Sequence, residues 1–199
     1  MNNRDLLLSI NPFHLELLRP LVKWKILSIK ELFEDSQYVG SYKNFHKIAA
    51  KLEKHNVLGS FKDVWTKSKR LHLTREGNEL VNPANWMAHA YNPHSFFHDS
   101  RVTLYLRYLV QKLNVKEVVL EQERMKVNSF KDMKIVRPDA EFSIEGGNQK
   151  KITLLLEIEL TQKSKERVYE KFQTYHKFPM YNFILFVFPT LSLFKSYLH

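Results

Sequence analysis

Three acidic residues stand at a spacing that could hold a divalent cation. Asp139 follows Pro138, and Glu157 and Glu159 flank Ile158 after an apolar run. Side chains two positions apart in a strand project from the same face, so both glutamates are predicted to face one way. A hairpin between the two segments would bring Asp139 close to Glu157. Carboxylates this close repel each other, and a hard cation such as Mg²⁺ or Mn²⁺ relieves that repulsion. A cation held there can activate water and stabilise the charge that develops on a phosphodiester.

The same pattern also fits a solvated edge strand. Lys150 and Lys151 lie nearby in the sequence and could pair with the acids across the hairpin. The threonine and leucines at 153–156 instead predict a central, mostly buried strand, where solvated glutamates are unexpected. The metal site is therefore the leading interpretation, and an ion-paired strand is its alternative.

Lys171 is predicted to lie near these acids. On a helix expected over 164–177, Val168, Phe172 and Tyr175 form the stripe that would pack on the sheet, and Lys171 flanks it. Its ammonium could therefore reach the acids or a phosphate, while a plain solvated lysine is the alternative. Gln162, where strand turns into helix, could hydrogen-bond substrate or a metal-bound water.

Two short patterns resemble the PD-(D/E)xK nuclease superfamily. They are VRPD, which ends at Asp139, and LLLEIE, which ends at Glu159. The longer string EIELTQKSKER from Glu157, with YEKFQTY from Tyr169, is similar to the replication-relaxation family of mobile-element proteins, and MobC-type plasmid relaxases look like relatives. The resemblance covers about 136–175. It implies a nuclease domain behind an N-terminal winged helix.

The resemblance also implies roles for individual residues. Asp139 and Glu157 match the two metal-binding acids. Relatives often carry an extra acid before the PD motif, which Glu121 or Glu123 could supply here, with Glu123 favoured. The superfamily expects lysine where this chain has Glu159. Three explanations stay open: Glu159 binds a second metal or acts as general base, a lysine such as Lys171 comes from elsewhere, or the domain keeps DNA binding alone.

The N-terminal part is predicted to contain three helices and a basic two-stranded ribbon. The helices are expected over 12–19, 21–33 and 42–55, and the ribbon over 62–74. This order resembles a winged helix-turn-helix, whose third helix lies in the major groove while the ribbon touches the backbone. The predicted DNA contacts are Tyr42, Lys43, Asn44, Lys47 and Lys51 on the helix, with Lys62, Lys67, Lys69 and Arg70 on the ribbon. A solvated charged surface, or a module that binds a partner protein, is the alternative.

Composition favours a polyanionic partner. The 199 residues carry a formal net charge of +10, with no cysteine, which excludes disulfides and thiolate metal sites. An anionic membrane surface or a simple solubility surplus is the alternative reading of that charge. We find no signal-peptide pattern and no apolar run of membrane-spanning length, so we expect a cytoplasmic, DNA-associated protein.

The predicted architecture is α+β or α/β in two domains. Asn-Pro dipeptides at 82–83 and 92–93 favour turns and suggest a boundary. We expect a winged helix over 1–90 and a restriction-endonuclease-like α-β-β-β-α-β core over 91–199. The expected strands are 116–123, 135–144, 151–160 and 182–188.

The leading functional hypothesis is a Mg²⁺- or Mn²⁺-dependent DNA endonuclease or nickase in mobile-element mobilisation or replication. The alternative is a non-catalytic DNA-binding accessory or regulatory protein that uses the nuclease fold as a clamp. Duplex DNA is the expected partner, with a homodimer or co-assembly with other mobile-element proteins as further options.

Overall fold

The chain is a mixed α+β protein with two sheets. Its computed structural model describes residues 10–84, 95–124, 137–147, 150–177 and 181–198. The chain divides into two compact units, Met1–Thr103 and Leu104–His199. The boundary predicted between 90 and 91 lies outside the described residues. Among those that are described, no helix has both the length and the apolar character needed to cross a bilayer.

The first unit consists of short helices and a three-stranded antiparallel sheet of order β1-β3-β2. Its described elements are α1 (Pro12–Glu16), α2 (Arg19–Trp24), β1 (Ile26–Ser28), α3 (Ile29–Asp35), α4 (Tyr42–Lys54), β2 (Leu58–Lys62), β3 (Lys69–Leu73) and α5 (Arg75–Val81). The buried core is aliphatic and includes Leu18, Leu21, Leu27, Leu32, Leu52 and Leu71.

One predicted helix of this unit is wrong. The sequence predicts a single helix over 21–33, but the chain leaves α2 at Lys25, whose φ of 58° is left-handed, and then forms β1. Ser28 starts a new helix, because its hydroxyl accepts from the Glu31 amide while the Glu31 side chain accepts from the Ser28 amide. This reciprocal cap supplies partners to amides that a helix start leaves without one.

Helix α4 agrees closely with its prediction. The Ser41 hydroxyl caps it by accepting from the Asn44 amide at 3.3 Å. Phe45, Ala49 and Leu52 are buried in the core of the unit, as the apolar spacing predicts. The opposite face is exposed along its length.

The second unit is built on a four-stranded sheet of order β4-β5-β6-β7. Helix α6 (Phe96–Lys112) runs from the first unit into it, and the elements that follow are β4 (Val115–Leu120), α7 (Glu121–Arg124), β5 (Ala140–Glu145), β6 (Lys151–Ile158), α8 (Lys165–His176), β7 (Phe183–Val187) and α9 (Leu191–Ser196). The first two strand pairs are antiparallel, and β6 and β7 are parallel. The parallel pair requires a crossover connection, which contains α8.

Candidate functional site

Asp139 stands beside Glu157 because of the register between β5 and β6. Ala140 pairs with Leu156, so the next step along the ladder brings Asp139 to Glu157. The Asp139 amide donates to the Leu156 carbonyl at 3.1 Å, and Asp139 Oδ2 accepts from the Ile158 amide at 2.6 Å. The carboxylate is therefore fixed at the end of β6 by backbone groups of that strand.

Glu157 and Glu159 are both buried at the end of β6, with only 1% and 3% of their surfaces exposed. Ile158 pairs with Val187, and the Glu159 amide donates to the Val187 carbonyl at 3.0 Å. A buried carboxylate requires compensating partners, since the loss of hydration disfavours its charge. Both glutamates have partners on α8.

Lys171 on α8 contacts both glutamates. Its Nζ lies 2.6 Å from Glu157 Oε2 and 2.8 Å from Glu159 Oε1. One turn later, the Tyr175 hydroxyl donates to Glu157 Oε1. Lys171 and Tyr175 are four residues apart and so share one helix face. The structure thus brings together four residues from three sections of the sequence: Asp139, Glu157, Glu159 and Lys171.

The electrostatics of this cluster are dominated by burial. Burial and the charge of Asp139 raise the pKa of Glu157 to about 7, against the opposing effect of Lys171. Burial lowers the pKa of Lys171, but the two glutamates outweigh it and the net shift is upward. Burial and the Glu157 carboxylate raise the pKa of Tyr175 well above its ordinary value. At neutral pH the lysine is charged, the tyrosine is neutral, and Glu157 is divided between its two forms.

The acidic side chains of this cluster offer few ligands for a hard cation. No group of three or more Asp, Glu or His side chains suitable for a metal exists within the described part of the chain. Asp139 and Glu157 face each other closely enough for one charge to raise the pKa of the other group. Mg²⁺ is commonly held by one or two carboxylates together with water and substrate phosphate, which fits this pair.

The other two predicted site residues lie in the segments that follow β4 and β6. Glu123 was expected in a strand, but β4 ends at Leu120 and Glu123 lies in α7. Its Oε2 accepts from the Leu120 amide at 2.8 Å, which caps that helix. Gln162 is exposed in the segment between β6 and α8.

Sequence reasoning did not identify Tyr197 as part of this region. Burial and the Glu159 carboxylate raise the pKa of this phenol, which lies just after α9. No sequence signal points to it, because this electrostatic interaction joins the residue after α9 to the residue after β6. The Tyr175 contact had a signal, namely its four-residue spacing from Lys171.

The predicted DNA-contact residues divide into two sets. Exposed positions are Tyr42, Lys43, Asn44, Lys47 and Lys51 on α4, with Lys62, Lys67 and Lys69 on the hairpin. Lys69 also pairs with Glu53 at 2.7 Å. Arg70 is different, because it is 6% exposed and donates to Glu31 at 2.6 Å inside the unit. Its predicted contact with DNA does not fit this burial.

A comparison with models of known protein families finds no match to this chain. A comparison with curated proteins finds no match either.

Proposed function

We propose that the chain is a DNA-processing protein whose second unit cleaves a phosphodiester bond with the help of a divalent cation. The observation that carries this proposal is the Lys171 ammonium within 2.8 Å of two buried carboxylates, with Asp139 beside them. Burying two acids, and partly burying a third acid and a lysine, costs solvation, and apolar residues of similar size would fill the same space at lower cost. Clusters of this kind with a strongly shifted pKa are typical of functional sites.

Each residue has a distinct role in this proposal. Asp139 and Glu157 would hold Mg²⁺ or Mn²⁺, which supplies a water of lowered pKa and neutralises charge on the phosphate. Lys171 would hold the non-bridging phosphate oxygens and offset the excess negative charge of the three acids. Glu159 would keep the Lys171 ammonium in place, and Tyr175 would orient the Glu157 carboxylate. This arrangement assigns to Lys171 the part that the superfamily lysine plays and that Glu159 cannot play.

The element order supports a finer description of both units. The first unit has a helix with an exposed, lysine-rich face followed by a β-hairpin, in the order of a winged helix. The second has three antiparallel strands, a helix and a parallel strand after α6, in the order of a PD-(D/E)xK core. We infer that the first unit binds duplex DNA and the second acts on it, with mobile-element DNA as the expected setting.

The proposal is tested by nicking of supercoiled plasmid in Mg²⁺ or Mn²⁺. Asp139→Asn and Glu157→Gln are expected to abolish nicking, since each removes a negative ligand with little change of shape. Lys171→Met is expected to lower turnover roughly 100-fold or more, as loss of one electrostatic contact to a developing charge does elsewhere. Glu145→Gln, at the exposed end of β5, is the matched control and should nick at the native rate.

The alternative function is a DNA-binding accessory protein without catalysis. One observation favours it: both oxygens of Glu157 already have partners in Lys171 and Tyr175, so the cluster is largely compensated without a metal. In that case the native chain would shift DNA and cleave none, and Mg²⁺ would not change its melting temperature. Cleavage that persists in Asp139→Asn and Glu157→Gln would contradict the catalytic proposal.

A further inference from the structure

The tip of the β2–β3 hairpin carries an exposed apolar surface. Val64 and Trp65 lie in the turn and Phe97 lies at the start of α6, and all three belong to the first unit. Trp65 is 53% exposed and Phe97 is 43% exposed, with ring centroids 6.4 Å apart. We call Val64, Trp65 and Phe97 the tip surface. Neighbouring exposed apolar side chains point to a binding role more strongly than a single exposed one does.

A buried network fixes the backbone under this surface. Asp63 is almost fully buried, and its Oδ1 accepts from the amides of Trp65 at 2.9 Å and Thr66 at 2.7 Å. Arg101 donates to both oxygens of Asp63, at 2.8 and 3.0 Å, and the Ser100 hydroxyl donates to Oδ2 at 3.3 Å. The turn is therefore tied to α6 by a charge-assisted ion pair in which one Arg101 nitrogen, Nη2, contacts both Asp63 oxygens.

The same arginine supports the tryptophan ring. The guanidinium carbon of Arg101 lies 4.0 Å from the centre of the Trp65 ring, within the range of a cation–π contact. One residue thus holds both the backbone of the turn, through Asp63, and the ring that the turn presents. More than half of the Trp65 surface nevertheless stays exposed, so the ring is held in position rather than covered.

Charge identifies the kind of partner. Lys62 and Lys67 are exposed on the same hairpin, on either side of the turn. A rigid aromatic ring flanked by cations suits a nucleic-acid strand, because the bases stack on the ring while the phosphates lie near the lysines. An apolar protein partner would leave these ammonium groups to be desolvated without compensation.

We propose that Trp65 stacks on an unpaired base of DNA, so that the hairpin tip binds single-stranded or locally opened DNA. This inference deepens the proposed DNA binding and rests on it. It adds a contact that the basic residues cannot make, since lysines read phosphates and not base faces. Asp63 and Arg101 act as positioning residues that hold the ring.

The test is fluorescence anisotropy of the full chain with an oligo-dT strand and with an abasic strand of the same length. Trp65→Ala is expected to weaken oligo-dT binding roughly ten-fold and to leave abasic-strand binding nearly unchanged. Trp65→Leu keeps apolar surface but no aromatic face and should lose affinity to a similar extent, and this second variant carries the test if Trp65→Ala fails to fold. The salt dependence of binding should be equal in all three proteins, because no phosphate contact is removed.

Phe13→Ala is the matched control. Phe13 has the same 53% exposure but lies on α1, away from the hairpin in sequence, and its removal should not change binding. Equal affinity of native and Trp65→Ala chains for oligo-dT would overturn the inference, as would equal weakening on both strands. A native chain that binds duplex but not oligo-dT also overturns it and leaves the proposed function standing. A native chain that binds no DNA overturns both.

Discussion

Glu157 is the residue whose protonation should be visible in the stability of the protein. Its pKa rises from 4.5 to about 7 on folding, through burial and the charge of Asp139. Between these two values the folded chain holds a proton that the unfolded chain releases. The free energy of unfolding must therefore fall as pH rises through this window, by an amount on the order of 3 kcal/mol.

We expect Glu157→Gln to remove this pH dependence. Glutamine keeps one oxygen that can accept from Lys171 and gains an amide that can donate to the Tyr175 hydroxyl, and it does not titrate. The measurement is urea unfolding of both proteins at several values from about pH 4.5 to about pH 8. As pH rises, the free energy of unfolding of the native chain should fall relative to that of Glu157→Gln. Parallel curves for the two proteins would contradict this, and Glu145→Gln, which changes an exposed residue of the same sheet, should follow the native curve.

At the scale of elements, α5 packs against the segment that precedes β2. The contact is so close that it leaves no room for a side chain. Gly77 is buried in the first turn of α5, where a Cβ would overlap the Val57 carbonyl oxygen. That oxygen accepts from the Thr74 amide at 3.1 Å, so it cannot easily move away. The contact brings α5 close to the backbone that leads into β2.

Gly77→Ala is therefore expected to destabilise the protein by roughly 1–3 kcal/mol. Helix propensity alone predicts the opposite sign, a gain of about 1 kcal/mol. Thermal unfolding decides between the two, and a raised melting temperature would show that the backbone relaxes. Gly147→Ala provides the comparison, because no atom of the described residues lies within 4 Å of its Cβ position and its φ is not positive. That variant should melt within a degree or two of the native chain.

Periodicity and caps predicted most of the elements, and they failed where two local signals competed. The apolar stripe of α4 and its cap at Ser41 could be read directly from the sequence. The apolar spacing did not reveal that the helix breaks after α2. Ser28 and Glu31, which form the capping box of α3, were nevertheless visible in the sequence. The apolar residues at 26–27 fit a continued helix as well as they fit a strand. Apolar periodicity alone therefore cannot distinguish the two.

The candidate site was predictable to the extent that it follows from register and helix spacing. Asp139 and Glu157 come together because a hairpin fixes their register, and Lys171 reaches Glu157 because it shares a helix face with the buried Tyr175. The sequence wrongly placed Glu123 in a strand. Side-chain alternation does not show that β4 ends where the Glu123 carboxylate caps α7. The burial of Arg70 could not be foreseen, since it depends on Glu31, a partner 39 residues earlier in the chain.

At the scale of the whole molecule, the net charge of +10 could contribute to DNA binding in two ways. If the charge acts as a diffuse field, any three exposed lysines contribute equally to the affinity. If α4 lies against DNA, its lysines contact phosphates and release counterions there, and others do not. The slope of the logarithm of the binding constant against the logarithm of salt concentration distinguishes these cases.

We expect the triple variant Lys43→Ala, Lys47→Ala, Lys51→Ala to reduce that slope by about 2 to 3, since each phosphate contact contributes about 0.9. The matched control replaces by alanine three exposed lysines at or next to the ends of α6 and α8, namely Lys112, Lys165 and Lys177, and lowers the net charge equally. The control should change the slope by less than about 1. Duplex binding measured over a range of salt concentrations provides both slopes. Equal slopes for the two triple variants would mean that α4 is not the surface that DNA contacts, and that the charge acts only through its sum.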